Sequence, residues 1–322
     1  MTDPETIPNL RIVWDVGRLS EWASLLADCG QSSLTQGFGY NQAMLTVEGW
    51  RPRLGIIELS DRPIGLVVMS ERRLFRLVRI ARLHRGPLLR PEARKPSVFA
   101  MVMKLIRKEY PSGPFNWTAV VPEWPAGEEA AAMMRWAGFR RDKAPGYRTL
   151  WLDLRREEAD LRAQLAQKWR NALNQAERAG LTVELDRDGK AQLTWLLEQY
   201  QKDKAEKRYR GPSAKLIIRM RTGMYKDGDI LLMRAVKDGV PVAGILILGH
   251  GKAATYQIGW SDAAGRAARA HNLLLWRAIL DLKRQGRDWF DLGGILPDAA
   301  PGVTAFKRGM GGEEVELVGA FR

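Results

Sequence analysis

The chain is poor in cysteine and histidine. Its 322 residues include one cysteine, Cys29, and three histidines, His84, His250 and His271. A lone cysteine excludes an intrachain disulfide and a cysteine-based metal centre, and the three histidines are not spaced as metal ligands. No Ser-His-Asp or Cys-His pattern stands out either. We therefore expect no metal site and no covalent enzyme intermediate.

Long apolar runs are missing as well. No stretch of about 18 apolar residues occurs, so we expect no transmembrane helix. The opening residues, MTDPET, are acidic and lack an apolar core, which is not the pattern of a secretory signal peptide. These two features lead us to expect a cytoplasmic protein.

Acidic residues are the scarcer charge. The chain has 37 Asp and Glu against 51 Lys and Arg, which gives a formal net charge of +14. That balance favours an anionic partner, such as tRNA, a nucleotide-linked substrate or an anionic membrane contacted peripherally. Charge alone does not choose among these partners. The hydrophobic share of 45% and the 12 tryptophans are enough for a sizeable core and exclude wholesale disorder.

The order of the predicted elements repeats along the chain. Each half is predicted to contain helices, a hairpin, a strand, a helix and a strand, and the hairpins near residues 59–68 and 236–247 are similar in sequence. A repeat of about 150 residues predicts two copies of one α/β domain, at 1–150 and 151–322. The second half is predicted to open with a long polar helix from Glu157 to Ala179.

A stretch near the end of the chain has the composition of a functional site. In WFDLGGILPDAAPGVTAFKRGMGG, from Trp289 to Gly312, an apolar strand ends at Asp291 and is followed by Gly293 and Gly294. A short helix containing Lys307 then leads to a glycine-rich turn. Loops at strand ends often carry chemistry, and glycine permits close backbone approach. A glycine-rich loop with a solvated lysine is the alternative interpretation.

Several motifs together resemble a known family. Phe290–Gly294 (FDLGG) followed by Phe306–Gly309 (FKRG) resembles the C-terminal signature of the Fem family of peptidoglycan bridge aminoacyltransferases. Arg85–Pro87 (RGP), Lys168–Asn171 (KWRN) and the Tyr-x-x-Gly of Tyr256–Gly259 are similar to other motifs of that family, in the same order. The resemblance covers most of the chain. It implies an α/β fold of two tandem GNAT-like (acyl-CoA N-acyltransferase-like) domains, each a mixed, mostly antiparallel sheet flanked by helices.

The resemblance also implies an activity. In the Fem family, an amine of a peptidoglycan-precursor peptide attacks the ester carbonyl of an aminoacyl-tRNA directly, without a metal or a bound cofactor. Lys307 would then be the catalytic cation that faces the developing oxyanion. Phe306 would shape the pocket and hold Lys307 in place. Asp291 would anchor its loop or pair with a basic residue, and a purely structural role, capping the backbone amides of Gly293 and Gly294, is an equally good interpretation. Gly293 and Gly294 would line the substrate site.

Four more residues are candidates for substrate binding. Tyr256 would line the same cavity, or be a plain strand aromatic. Arg208 and Arg210 precede a predicted helix N-terminus, where helix dipole and guanidinium groups together favour an anion, although a solvated loop is the simpler interpretation. Arg85 is carried over from the family's RGP motif.

The sequence differs from the family in places, and other functions stay open. Met44 stands near the position of a lysine in members that use a nucleotide-linked muramyl peptide, and no coiled-coil arm is inserted. The alternative function is a GNAT-type N-acyltransferase that uses acyl-CoA or an acyl carrier on a small amine. Its pyrophosphate would lie at Ala264–His271, where one glycine replaces a spaced pair. A non-catalytic binding module with the same fold is the third hypothesis.

Overall fold

The chain divides into two compact units in a computed structural model. Unit 1 comprises Met1–Arg148 together with Val315–Arg322, and unit 2 comprises Thr149–Glu314. The structure describes residues 7–15, 17, 19–75, 77–143, 146–224 and 229–322, with the Met224 side chain left out. Residues 1–6, on which the expectation about a signal peptide rests, lie outside the described residues.

Unit 1 alternates helices with one sheet. Its strands are β1 (Leu10–Trp14), β2 (Arg51–Leu59), β3 (Arg62–Leu74), β4 (Val78–Gly86), β5 (Leu88–Leu89) and β6 (Asn116–Pro122). Its helices are α1 (Leu19–Asp28), α2 (Phe38–Glu48), α3 (Pro96–Glu109) and α4 (Glu128–Trp136), with short 3-10 turns at Leu34–Gln36 and Pro91–Ala93.

The sheet of unit 1 is mixed. Its order is β1-β2-β3-β4-β6, with β5 beside β3, and all pairs are antiparallel except β4 with β6. The parallel pair stays in register from Arg79–Asn116 to Gly86–Pro122 apart from one irregularity. Helix α3 packs on the core through a buried stripe that includes Phe99, Met103 and Ile106, as its helical spacing predicts.

Unit 2 has a second sheet and its own core. Its strands are β7 (Arg148–Asp153), β8 (Thr182–Asp186), β9 (Ile230–Lys237), β10 (Val240–His250), β11 (Ala253–Ser261), β12 (Trp289–Gly294) and β13 (Glu313–Glu316). Its helices are α5 (Glu158–Ala163), α6 (Gln167–Glu177), α7 (Leu193–Lys207), α8 (Ala214–Met224), α9 (Ala263–Ala267), α10 (Ala270–Arg284) and α11 (Pro301–Arg308).

The two units repeat one topology. The sheet of unit 2 has the order β13-β7-β12-β11-β10-β9-β8, with antiparallel pairs from β8 to β11 and a parallel step from β11 to β12. In unit 1 the series β1 to β4 is likewise antiparallel and ends in a parallel step to β6. Two helices separate the first two strands of each series, and one long helix precedes the parallel step. The predicted α/β class with mixed, mostly antiparallel sheets is confirmed.

The long helix predicted from Glu157 to Ala179 is wrong. The chain forms two helices, α5 and α6, because the backbone leaves the helical region at Ala166. The Ala166 amide donates to the carbonyl of Gly309 at 2.9 Å, a bond that it could not make inside a continuous helix. The break holds the start of α6 against the chain just after α11. Helix α8 is capped by Ser213, whose Oγ accepts from the Leu216 amide at 3.1 Å.

Candidate active site

The sheet of unit 2 opens between β11 and β12. The parallel pairing of these strands ends at Thr255 with Asp291, although β11 continues to Ser261 and β12 to Gly294. A register shift against β10 makes Gln257 the extra residue of a β-bulge on β11. A bulge bends its strand and often lies next to an active site. The corresponding pair in unit 1 stays paired to its end, so only the second copy opens in this way.

The end of β12 is held by a buried carboxylate. Asp291 is fully buried, and its Oδ1 accepts a hydrogen bond from the Gly293 amide at 2.8 Å and another from the Thr149 hydroxyl. Gly293 has φ +73, and a Cβ there would stand 3.1 Å from the carbonyl oxygen of Tyr256 and 3.8 Å from Nζ of Lys307. Glycine is therefore required by both backbone conformation and space. Of the interpretations offered for Asp291, the geometry shows the cap on the Gly293 amide, which holds the loop after β12.

The amine of Lys307 lies at this opening. The residue lies in the last turn of α11 and is only 8% exposed. Its Nζ donates to the Gly294 carbonyl at 2.8 Å and lies 5.9 Å from the centroid of the Tyr256 ring. Burial lowers the pKa of Lys307 to about 8, while the charge of Asp291 acts to raise it. At neutral pH the group is thus mostly an ammonium. Gly294 uses one of its three N–H donors, and the other two are available to a ligand.

Tyr256 and His271 approach each other across Gly259. A Cβ at Gly259 would overlap the Tyr256 hydroxyl and stand 2.8 Å from Nε2 of His271. The missing side chain therefore makes the space into which both polar groups project. Burial raises the pKa of Tyr256 and lowers the pKa of His271 to about 4. Both groups are neutral near pH 7, a phenol that can donate and an imidazole that can accept.

Two aromatic rings near Phe306 carry nitrogens that have no hydrogen-bond partner in the described structure. The Phe306 ring lies 5.8 Å from that of Trp169 and 6.5 Å from that of His271. Within the described part of the chain, Nε1 of Trp169, Nε2 of His271 and Oγ1 of Thr304 are buried without a hydrogen bond. Thr304 and Lys307 are one turn apart on the buried side of α11. Buried polar groups are normally satisfied, so this cluster indicates a place prepared for a ligand.

Arg208 and Arg210 lie on the exposed loop between α7 and α8. Arg208 closes α7 in a left-handed conformation, with φ +53, and both side chains are exposed. Between them, Tyr209 packs 6.1 Å from the ring of Tyr200. Burial, followed by the neighbouring charge of Asp203, raises the pKa of Tyr209. The two arginines are thus available for an anionic ligand, and their role stays a prediction.

Arg85 belongs to unit 1, whereas the other predicted site residues belong to unit 2. Its guanidinium forms a buried two-pronged pair with Glu123, with Nε to Oε2 at 2.8 Å and Nη2 to Oε1 at 3.0 Å. It also lies over the ring of Tyr147, at 4.9 Å from the centroid. These contacts indicate that Arg85 stabilises the fold of unit 1. Substrate binding by Arg85 stays a prediction, since the contacts with Glu123 and Tyr147 already account for its buried guanidinium.

The turn before α10 has a conformation suited to glycine but is occupied by arginine. Asp262 accepts from the Gly265 amide at 2.7 Å and begins α9, and Arg269 precedes α10 with φ +55. A cavity of about 380 Å³ lies beside this turn. It is lined by Gln175, Arg178, Ala179, Lys237, Ala267 and Ala268. Basic side chains near a helix N-terminus suit an anion, and this is the place where the alternative function would hold its pyrophosphate.

Sequence reasoning missed His271, Thr304 and Gly259 as parts of this site. The Tyr-x-x-Gly motif includes Gly259, but the sequence does not show why a glycine is needed at that position. Nothing in the sequence linked His271 to the group, since its neighbours come from β11 and α11. Trp169 was noted as part of a motif, and the structure adds its contact with Phe306.

Comparisons with known proteins agree with the fold. Residues 159–308 match the family model for the acetyltransferase (GNAT) domain. A crystal structure of FemX is similar over 96% of both chains, at 15% identity and a TM-score of 0.78. A tandem GNAT protein from the clavulanic acid biosynthesis pathway is similar over 97% of both chains, at 16% identity and a TM-score of 0.52. No curated protein matches the sequence.

A third structure is similar over a smaller part. The C-terminal domain of a putative lysylphosphatidylglycerol synthetase from Agrobacterium fabrum matches with 79% of this chain and 80% of its own, at 17% identity and a TM-score of 0.51. At such identities, structural similarity establishes the fold alone. The predicted tandem GNAT-like fold, with its resemblance to the Fem architecture, is confirmed at that level. The matched GNAT domain supports an acyltransferase.

No helix among the described residues has the length and apolar character needed to cross a bilayer.

Proposed function

We propose that the protein transfers an amino acid from aminoacyl-tRNA to an amine of a peptidoglycan-precursor peptide. The observation that carries this proposal is the buried amine of Lys307 beside the opening between β11 and β12. A fixed positive charge in a poorly solvated site favours acyl transfer, because it stabilises the negative charge that develops on the carbonyl oxygen in the transition state. The similarity of nearly the whole chain to FemX supports the choice of substrates.

The reaction needs no covalent intermediate. The acceptor amine adds to the ester carbonyl carbon of the aminoacyl-tRNA, and the carbonyl electron pair moves to oxygen, opposite the ammonium of Lys307. The intermediate then collapses, the bond to the ribose oxygen breaks, and the departing ribose alkoxide takes up the proton lost by the amine to become a hydroxyl. An amide and a free tRNA result. The two N–H donors of Lys307 that Gly294 does not use are the ones that face the oxyanion.

His271 and Tyr256 position the reacting groups in this proposal. The neutral imidazole of His271 accepts a hydrogen bond from the attacking amine at its otherwise unsatisfied Nε2. The Tyr256 hydroxyl, on the other side of Gly259, donates to the substrate. Phe306, whose ring contacts those of both Trp169 and His271, provides an apolar surface beside the imidazole. Arg208 and Arg210 contact phosphates of the tRNA from their exposed loop.

The test compares two lysines of unit 2 that each donate to a glycine carbonyl. The amine of Lys307 is buried on Gly294 O, whereas that of Lys252 is exposed, 3.4 Å from Gly286 O. The purified protein is incubated with a radiolabelled mixture of aminoacyl-tRNAs and an amine-bearing precursor peptide. We expect transfer with the wild type and with Lys252→Met, and a loss of 10²-fold or more with Lys307→Met, on the order of 3 kcal/mol of oxyanion stabilisation.

Full activity of folded Lys307→Met would contradict this mechanism. If ribonuclease treatment of the donor leaves transfer unchanged, aminoacyl-tRNA is not the donor. Folding of each variant is checked by its circular dichroism spectrum, so that a structural defect is not mistaken for a chemical one.

The second candidate function is N-acyl transfer from acyl-CoA to a small amine. It is favoured by the cavity beside the turn before α10, where Arg178 and Lys237 provide positive charge, and by the match to the acetyltransferase (GNAT) domain. Direct titration with coenzyme A separates the two functions. Binding that is weakened by Arg178→Gln favours acyl-CoA, whereas ribonuclease-sensitive transfer without coenzyme A binding favours aminoacyl-tRNA. Lys252→Met again serves as the matched control for a lost surface charge.

A further inference from the structure

The hairpin between β3 and β4 of unit 1 ends in exposed apolar side chains. Phe75 is 91% exposed and Leu77 is 73% exposed, and Leu74 beside them is also exposed. On β6, Trp117 is 69% exposed, and Phe115 just before this strand is exposed too. Phe75, Leu77 and Trp117 are the three most exposed large apolar side chains in the described part of the chain. We call these five residues the apolar tip.

Strand pairing brings the apolar tip together at one end of the sheet. Leu74 pairs with Val78 across the hairpin, so Phe75 and Leu77 lie in the turn itself. The Arg79 amide donates to the carbonyl of Phe115 at 2.8 Å. Trp117 lies opposite Ile80 on the parallel neighbour. Because β4 and β6 start at the same end of the sheet, the five side chains form one patch rather than scattered exposures.

The charges around the apolar tip are positive. No acidic residue occurs between Arg72 and Arg90 in the sequence, and Arg72, Arg73 and Arg82 are exposed. Glu71, the acid next to this segment, is paired with Arg79 at 2.7 Å. An apolar patch rimmed by cations is complementary to a surface that has anionic groups outside and hydrocarbon inside.

The fold itself does not require these exposed side chains, as the duplicated unit shows. The hairpin of unit 2 at the same position in the topology joins β10 to β11 through Gly251 and Lys252. The residues that flank this turn, His250 and Ala253, are buried and paired with each other. No large apolar side chain among the described residues of that turn is exposed. The apolar tip is therefore a feature of unit 1 alone.

We propose that the apolar tip docks unit 1 onto an anionic lipid bilayer. Phe75 and Leu77 enter the boundary between headgroups and acyl chains, Trp117 lies at headgroup level, and Arg72 and Arg73 contact lipid phosphates. Leu74 and Leu77 gain from contact with hydrocarbon but make no useful contact with nucleic acid, which is bound through phosphate contacts and stacking on aromatic rings. The arginines likewise oppose self-association of two such tips, because like charges would meet.

The test uses flotation with vesicles of phosphatidylglycerol and phosphatidylcholine at 3:1, and with vesicles of phosphatidylcholine alone. Wild-type protein is expected to float with the anionic vesicles and to bind the neutral ones at least tenfold more weakly. Phe75→Ser/Leu77→Ser is expected to lose binding about tenfold or more. Arg72→Gln/Arg73→Gln is expected to lose it about fivefold per arginine. The matched control is Val240→Ser/Leu296→Ser, which removes two exposed apolar side chains from unit 2.

Several outcomes would overturn the proposal. Failure of the wild type to float, or equal losses with the control pair and the tip pair, would remove the basis for a lipid surface. If Phe75→Ser/Leu77→Ser floats normally but loses binding to bulk tRNA in a gel-shift assay, the tip is a nucleic-acid surface instead. If that variant changes the mass of the protein measured by light scattering, the tip is a contact between two copies of this chain.

Discussion

Replacing Lys307 with methionine tests how strongly the folded protein disfavours its charge. Burial lowers the pKa of this amine to about 8 from the ordinary 10.5. That difference corresponds to about 3 kcal/mol of charge penalty in the folded state at neutral pH. Methionine removes the penalty but also the bond to Gly294, a loss of about 1 kcal/mol. We therefore expect Lys307→Met to be more stable than the wild type by about 2 kcal/mol at pH 7.

The stability difference between Lys307→Met and the wild type should depend on pH. Between pH 8 and 10.5 the unfolded chain keeps the proton that folded Lys307 has lost. The free energy of unfolding of the wild type therefore rises with pH across that window, and the advantage of the variant falls. Urea denaturation followed by tryptophan fluorescence at pH 7 and pH 10 measures both quantities. Lys252→Met, at an exposed amine, should show no such change.

A variant that is less stable than the wild type at pH 7, with a difference that does not depend on pH, would refute the reasoning. The amine would then be solvated in the native protein, and the argument for oxyanion stabilisation at this position would lose its physical basis. If Lys307→Met is more stable but inactive, the buried amine lowers the stability of the folded protein and is needed for activity.

Three further predictions concern the surroundings of the site and the core of unit 1. Gly259→Ala should lower transfer at least tenfold, because the added methyl group displaces the Tyr256 hydroxyl; steady-state rates measure this, and unchanged rates would contradict it. Asp291→Asn should lower the pKa of Lys307 further, since Asp291 acts to raise it, and a pH–rate profile should show its alkaline limb moved to lower pH. Arg85→Met should destabilise the protein by about 3–5 kcal/mol in urea denaturation, because it leaves a buried carboxylate unpaired.

The local features of the site followed from the sequence. A strand ending at Asp291 was expected, with Gly293 and Gly294 after it; the structure has this strand as β12 but carries it on to Gly294. The short helix containing Lys307 was also expected, and it is α11. Turn chemistry and hydrophobic spacing act over a few residues, so a sequence pattern records them directly.

The opening of the sheet did not follow from the sequence. Parallel pairing between β11 and β12 depends on strands separated by the whole of α10, and no pattern within either strand tells where the pairing stops. The break at Ala166 is similar, since its cause is the carbonyl of Gly309 far along the chain. His271 entered the site for the same reason, through contacts with Phe306 from another helix. Long-range contacts decided each of these features.

The return of the last residues to unit 1 has a consequence for biosynthesis. Unit 2 is one uninterrupted stretch, Thr149–Glu314, whereas unit 1 is split around it. Phe321 exchanges both backbone hydrogen bonds with Val120, at 2.8 Å each, so the edge beside β6 is finished only by the final residues. All of unit 2 is therefore translated before the residues that complete unit 1. The half that is translated first is the half that is completed last.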